Sequence, residues 1–473
     1  MNPLAILFFC FCAALLVAVP RKWAPVPLLL GCTYMTLGQG IELGAISLPV
    51  YRMMLLVGVV RVVMRGEGIE GPFNKVDKAM MIWGGWMIFA SFFHDPDRAG
   101  PVTAAGQVFN LTLIYFLIRI WCSDLDEVCG VIMVVALLLV PIAAEMLLEK
   151  ATGKNLFSFL GGVPENAIVR EGKFRAQGPF RHPILTGTVG ATCIPLFVGI
   201  LRRNKMVGMI GIGAGLVMVF ASASSGPVMS LMSGAGALIL LRYKTMVPTL
   251  RKLFVVLYLV LMVVMAKPPY YLIARIDISG GSTGWHRAFL IENTFKYFSE
   301  WWKFGTDFTR HWMPNQGIAN DPFHTDITNY YIGFGVAGGL VAMLLVIWML
   351  WLCFKWVGQL SDLFEEQGSE NEFLIWCFGA SLFSHATTSI SVAYFDQSML
   401  FFWLTVAVIS SAYSINVANG WSAEPAEEPD ELPPDGVPSY ELADHEEWRR
   451  KLREQMKASA RDERGRLTKP TFS

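Results

Sequence analysis

Residues 170–183, REGKFRAQGPFRHP, separate two long apolar runs of the chain, at 127–148 and 183–201. Each run is long enough to cross a hydrocarbon core of about 30 Å as a helix. Similar runs recur along most of the 473 residues, of which 54% are hydrophobic and only 16% are charged. The sequence therefore predicts an all-α, polytopic transmembrane helical bundle and excludes a soluble domain.

Counting the apolar runs predicts about thirteen spans. They are placed at 3–19, 25–42, 46–63, 76–93, 106–121, 127–148, 183–201, 206–221, 226–241, 247–265, 327–355, 371–389 and 396–415. We divide the chain into N-terminal transmembrane helices (1–169), a second membrane region (170–415) and a charged tail (416–473). One large loop, 266–326, lies between late spans of the second region.

The short loops predict the orientation of the chain. Arginines and lysines are concentrated at 21–22, 61–78, 202–205 and 242–252, and these four loops fall on one side when thirteen spans alternate. Cytoplasmic loops carry such an excess, so this side is predicted to be the cytoplasm. The tail is then cytoplasmic as well, and its acidic, proline-rich part is typical of disorder.

The cation-rich segment 170–182 falls on the opposite, outer side, together with the turn 222–225 and the loop 266–326. Taken alone, the segment is equally consistent with a positively charged topology anchor. On the outer side, however, the positive-inside rule predicts few cations. A binding function explains the cluster better, and a phosphate-bearing lipid head group is the ligand that grouped arginines favour.

Polar residues that suit such a ligand come from several outer segments. Two or three arginines from different loops form a clamp for a pyrophosphate, and a neutral histidine beside them accepts a proton from a hydroxyl. The candidates are Arg170, Lys173, Arg175, Arg181, His182, Ser224, Ser225, His286, Arg287, His311, His324, Asp326 and Asn329. No metal-ligand spacing and no nucleotide motif accompanies them, so we expect no metal, no cofactor and no nucleic-acid partner.

Four of these segments, in this order, resemble the O-antigen ligase and O-antigen polymerase superfamily of bacterial inner-membrane glycosyltransferases. The similar features are the segment from Arg175 to Gly187, the serine-rich turn Ser222–Gly226, Arg287 early in the large loop, and His324-Thr-Asp326 followed by Gly335 and Gly338. The resemblance covers roughly 170–415. Two positions depart from it: Thr325 replaces a common asparagine and Ser225 replaces a common arginine.

The resemblance implies a GT-C-like bundle that performs a metal-independent, inverting glycan transfer at the periplasmic face. The donor is a glycan on undecaprenyl pyrophosphate, and the acceptor is a hydroxyl of a glycan or lipid, with membrane lipids around both. By position, Arg175 and Arg287 hold the pyrophosphate and His324 is the base or the acceptor-positioning group. Asp326 is expected to orient the His324 ring, and the other candidates are expected to contact substrate.

Several alternatives stay open at this point. Within the family the acceptor is a lipid-linked chain (a polymerase), lipid A-core (a ligase) or a protein side chain, and we favour a polymerase or an exopolysaccharide-type ligase. A polysaccharide transporter or lipid-glycan flippase is the main alternative from another class, and it requires charges near the middle of the spans. A scaffold acting through its tail leaves the outer arginines unexplained.

Overall fold

The computed structural model describes residues 1–44, 46–95, 100–275, 284–314 and 321–421. Within these residues the chain is mostly helical, as predicted, with two short β-hairpins as the exceptions. The glycine-rich entry to the large loop, at 280–283, lies outside the described residues. So does the predicted tail beyond residue 421.

Fifteen α-helices and four strands form the described part of the chain. The helices are α1 (Pro3–Ala18), α2 (Pro25–Tyr34), α3 (Val50–Arg65), α4 (Lys75–Ser91), α5 (Gly100–Trp121), α6 (Leu125–Thr152), α7 (Pro183–Gly199), α8 (Lys205–Ser222), α9 (Ser225–Ile239), α10 (Val247–Val264), α11 (Gly284–Lys296), α12 (Phe298–Trp301), α13 (Tyr330–Glu366), α14 (Asn371–Thr388) and α15 (Met399–Ala418). The strands are β1 (Gly40–Leu43), β2 (Ile46–Pro49), β3 (Ile168–Arg170) and β4 (Lys173–Arg175), paired antiparallel as β1–β2 and β3–β4.

Seven helical segments of the described chain are long and apolar enough to cross a membrane. They are α5, α6, α7, α8, the continuous segment formed by α9 and α10, α13 and α15. A helix lies at each of the thirteen predicted span positions, but the helices outside these seven segments are shorter or less apolar. The chain is therefore built for a membrane, and the thirteen-span topology stays a prediction.

The second and third predicted spans are wrong in extent. Helix α2 has 10 residues and is about 15 Å long, half of a hydrocarbon core. The chain then turns back through the β1–β2 hairpin, where Gly44 adopts a φ of +62°. A Cβ on Gly40 would lie 2.8 Å from the carbonyl oxygen of Leu48, so this strand pair requires glycine at its start.

Glycine brings the central helices into close contact. A Cβ on Gly190 in α7 would lie 2.8 Å from the carbonyl oxygen of Gly215 in α8, and the reverse distance is the same. The two backbones can touch only because neither residue has a side chain. Helix α7 is among the most buried helices and α10 is exposed on all sides, so the core of the bundle surrounds α7.

The loops that carry the candidate residues meet at one end of the bundle, which we call the loop-rich end. Main-chain bonds join the Ala176 N–H to the end of α8 at the Ala221 carbonyl (3.1 Å), and the start of α13 at Tyr330 to Ser389 beyond α14 (2.8 Å). The Gln397 amide, before α15, donates to the Pro179 carbonyl at 2.9 Å. Sequence-distant segments thus form one surface.

Cations of the loops predicted to be cytoplasmic lie at the other end of the bundle. Arg203 pairs with Asp126 at 2.8 Å before α8, and Lys244, after α9, pairs with Glu365 at 2.6 Å near the end of α13. The arginine-rich segment 170–182 is therefore separated from these cations by the length of the helices.

A break in α13 receives the large loop. Gly339 has a φ of +77°, and a Cβ there would overlap the carbonyl oxygen of Lys303. The N–H of Leu340, released from the helix by the break, donates to the Trp302 carbonyl at 2.9 Å. Only glycine permits this approach, so the sequence at 338–339 fixes the loop on the bundle.

Candidate functional site

The β3–β4 hairpin places three cations of the segment 170–182. Arg170 and Lys173 are cross-strand partners next to the turn, and Arg175 is opposite Ile168 at the other end of the pair. Lys173 points into solvent, Arg170 is half-buried and Arg175 is 1% exposed. The hairpin therefore leaves Lys173 outside and directs Arg175 into the protein.

Arg175 is held by the serine-rich turn between α8 and α9. Its Nη2 donates to the Ser224 hydroxyl at 2.6 Å, and that hydroxyl donates to the Ser222 carbonyl at 2.8 Å. Ala223 between them has a φ of +42°, a conformation that costs a non-glycine residue free energy. Nε and Nη1 of Arg175 are buried and have no hydrogen-bond partner among the described residues.

Arg287 joins the same cluster from α11. Its Nε is also buried and has no hydrogen-bond partner in the described part of the chain. Burial and then the charge of Arg170 lower the pKa of Arg287, while the charge of Asp326 raises it. Burial and then Arg170 also lower the pKa of Arg175 to about 10. Arg170 thus lies close to both.

His182 completes this group, which we call the arginine cluster (Arg170, Arg175, His182 and Arg287). Its Nδ1 accepts the Ile184 N–H at 3.2 Å and caps α7. Burial, then the charges of Arg175 and Arg170, lower the pKa of His182 to about 4. The imidazole is therefore neutral at physiological pH, because burial and then the two neighbouring guanidinium groups disfavour a positive charge there.

The depressed pKa of His182 predicts an acid-sensitive fold. The unfolded chain binds a proton near pH 6.5 and the folded chain only near pH 4, so stability is complete above pH 6.5 and falls between these values. We expect His182 alone to cost the wild type about 3 kcal/mol of stability over that interval. In His182→Asn, which retains a capping side chain, the pH dependence of thermal unfolding should be flatter. Equal pH dependence in both proteins would contradict this assignment.

His324 forms a pair with a carboxylate that the sequence did not single out. Its Nδ1 lies 2.9 Å from Oδ2 of Asp321, and the ring is about one-third exposed. Burial opposes ionisation of Asp321, but hydrogen bonds from the Phe323 and His324 N–H groups and from the His324 ring lower its pKa. With Nδ1–H donating to this carboxylate, Nε2 is left to accept a proton.

Asp326 does not orient His324, contrary to the expectation. Its side chain is exposed, and its carbonyl oxygen accepts a hydrogen bond from Nε2 of His286 at 3.0 Å. His286 is buried, so it connects α11 to this loop and has a positioning role. Because Asp326 acts on Arg287 and Asp321 pairs with His324, the short segment 321–326 links the two parts of the site.

The remaining candidates lie around these groups. Arg181 is exposed, and its main-chain N–H donates to the buried Asp396 carboxylate at 2.8 Å. His311 pairs with Glu300 at 2.9 Å. Asn329 caps α13, and its amide donates to the Ile390 carbonyl at 2.9 Å, which gives it a structural role. Ser225 is half-buried in the first turn of α9.

Glu149 in α6 holds the main chain that follows Arg175, and the sequence did not identify it as part of the site. One carboxylate oxygen accepts the N–H groups of Gln177 and Gly178, each at 2.9 Å, and the residue is fully buried. Glu145, one turn earlier in α6, accepts the Leu156 N–H at 3.0 Å. An acidic i, i+4 pair inside an apolar helix is costly unless it has partners, and that spacing could have indicated the role.

No group of three or more metal-ligating side chains occurs in the ranges that the structure describes. The site consists of the arginine cluster, in which Arg175 and Arg287 have buried donors without a partner in the described ranges, and the His324–Asp321 pair, about one-third exposed, on the adjoining loop. No family model matches the chain, and no curated protein matches it.

Proposed function

We propose that this protein is a bacterial inner-membrane glycosyltransferase that moves a glycan from undecaprenyl pyrophosphate to an acceptor hydroxyl. The loop-rich end faces the periplasm in this proposal, and the tail is cytoplasmic. The cations Arg203 and Lys244 at the opposite end support this orientation, because cytoplasmic loops are rich in lysine and arginine. The resemblance of residues 170–415 to the O-antigen ligase and polymerase superfamily supports it independently.

The observation that carries the proposal is the set of buried donors on Arg175 and Arg287 that have no partner among the residues the structure describes. A buried cation without a partner is strongly unfavourable, and it is retained where a ligand supplies the opposite charge. Arg175 and Arg287 both lie close to Arg170, and Asp326 acts on Arg287, so the positive charge of this group suits an anion with more than one charge. A diphosphate ester has that charge and an oxygen arrangement that arginine forks bind.

The proposed reaction exchanges one bond at the anomeric carbon of the donor sugar. The acceptor hydroxyl oxygen attacks this carbon, and the bond from the carbon to the diphosphate oxygen breaks. The electron pair leaves with the diphosphate, whose growing negative charge Arg175 and Arg287 stabilise. Attack from the face opposite the leaving group inverts the configuration of the sugar.

The His324–Asp321 pair supplies the proton acceptor in this scheme. Nε2 of His324 takes the hydroxyl proton as the oxygen attacks, and Asp321 stabilises the resulting imidazolium through Nδ1–H. A sugar hydroxyl is a weak nucleophile, so removal of its proton during attack raises the rate. The one-third exposure of the ring leaves room for an acceptor that arrives from outside.

The positions of the buried charges along the helices favour an enzyme over a flippase. Arg119 lies near the end of α5 and is 3.5 Å from Asp77, near the start of α4. Glu145 and Glu149 lie in the last turns of α6 and bind main-chain N–H groups. These charges are near helix ends and have structural partners, whereas a transport path requires them around the middle of the membrane.

A transfer assay in lipid nanodiscs tests the proposal. We expect the purified protein to transfer glycan from an undecaprenyl-pyrophosphate-linked donor in the presence of EDTA, with inorganic pyrophosphate competing better than phosphate. Arg287→Ala should weaken that competition about tenfold, the effect of one charge-assisted contact. Lys154→Ala, an exposed cation paired with Glu165, is the matched control. Absence of transfer, or its loss in EDTA, would overturn the proposal.

A further inference from the structure

Two segments of the large loop meet beside His324. The N–H groups of Thr309 and Arg310 both donate to the Phe323 carbonyl, at 2.9 Å each. The Thr325 N–H donates to the Thr309 hydroxyl at 3.0 Å, and both threonines are buried. The side chains that flank these contacts are therefore fixed close to His324.

Aromatic rings at this junction are turned towards solvent. Phe308 is 42% exposed and Phe323 is 39% exposed. Phe308 stacks on the His311 imidazole, with ring centres 5.0 Å apart and planes within 13°. We call Phe308, His311 and Phe323 the aromatic platform. Rings left in water forgo the free energy of burial, so a group of them in one place indicates a binding surface.

Hydrogen-bonding pairs flank the platform. His311 lies 2.9 Å from the Glu300 carboxylate and His324 lies 2.9 Å from Asp321, and all four side chains are about one-third exposed. A lipid surface suits this arrangement poorly, because anionic head groups repel carboxylates. A sugar suits it well: its C–H face carries partial positive charge that an aromatic face attracts, and its hydroxyls bond to imidazole and carboxylate.

We infer that the aromatic platform binds a sugar ring of the acceptor glycan. The inference rests on the proposed function, because it places the acceptor beside His324, the proton acceptor of the transfer. It also divides the site by chemistry: the arginine cluster binds the charged donor, and the platform binds the uncharged faces of the acceptor. Loss of the platform should therefore affect one substrate and leave the other unchanged.

Steady-state transfer with the full-length protein tests this division. The acceptor probe is an oligosaccharide pool released by mild acid from the extracellular polysaccharide of the source organism. We expect Phe308→Ala and Phe323→Ala to raise the KM for this acceptor about tenfold, with the KM for the lipid-linked donor unchanged. Phe308→Tyr, which keeps the aromatic face, should restore the acceptor KM. Phe295→Ala, in α11 and 68% exposed, is the control.

The outcomes separate this inference from the proposed function. An unchanged acceptor KM in both phenylalanine variants overturns the platform while donor transfer stands. A defect that disappears in phospholipid-free detergent also overturns it, because the rings then contact lipid. If the wild type transfers nothing, the proposed function fails, and binding of the oligosaccharide pool measured by NMR decides the platform: loss of binding in Phe308→Ala supports it, and unchanged binding overturns it.

Discussion

Replacing Arg175 by alanine is expected to lower the rate of glycan transfer about 100-fold or more, the loss that follows removal of a preorganised donor from a developing negative charge. The same change should leave the protein at least as stable as the wild type. The reason is that Nε and Nη1 of Arg175 are buried without partners among the described residues, so the folded protein carries an uncompensated charge that alanine removes. Activity and stability should therefore move in opposite directions.

Arg175→Lys separates charge from geometry. Lysine keeps the positive charge, but its three N–H groups share one nitrogen and cannot reach Ser224 and both sides of a diphosphate as the planar arginine fork can. We expect it to recover only part of the lost rate. Single-turnover rates with bound donor, and thermal unfolding of each variant, provide the measurement. A rate for Arg175→Ala within a few-fold of the wild type would remove Arg175 from the reaction.

Ser224→Ala is the matched test of positioning. The variant keeps the guanidinium and loses the hydroxyl that fixes its Nη2. We expect a rate between those of the wild type and Arg175→Ala, with no further loss when both changes are combined, since both act through one contact.

The sequence predicted the cations of the site better than their partners. The sequence placed Arg175, in the cation-rich segment 170–182, and Arg287, early in the large loop, among the candidates, and the structure brings both close to Arg170. The partner of His324 was not predictable, because Asp321 and Asp326 are both within a few residues of it. Only the folded loop shows that Asp321 turns back onto the ring while Asp326 faces Arg287.

The long helices of the fold were predictable from the sequence, and the short elements were not. Long apolar runs specify helices whatever their neighbours, so α6, α7, α8 and α13 lie where the hydropathy places them. Shorter runs do not: the apolar residues of 40–49 pair as a hairpin, because glycine lets the chain turn and the strands approach. Helix α13 also continues to Glu366, beyond its apolar part, since contacts with neighbouring helices extend it.

Glu149→Ala should cause the second large effect, on both stability and rate. One oxygen of this carboxylate accepts the N–H groups of Gln177 and Gly178, at 2.9 Å each. Alanine leaves two buried donors without a partner, at a cost of about 3 kcal/mol. It also releases the turn that follows Arg175, so the guanidinium group loses its fixed position. Transfer should then fall about 100-fold, as in Arg175→Ala.

Glu149→Gln distinguishes the hydrogen bonds from the charge. The glutamine carbonyl oxygen can still accept both N–H groups, so this variant should retain most of the thermal stability and most of the activity. A defect as large as that of Glu149→Ala would show that the charge of the carboxylate matters more than its acceptor geometry. The double variant Glu149→Ala/Arg175→Ala should transfer no more slowly than Arg175→Ala alone, because the carboxylate acts on the reaction only through that arginine. A further tenfold loss would mean that Glu149 contributes to transfer by another route.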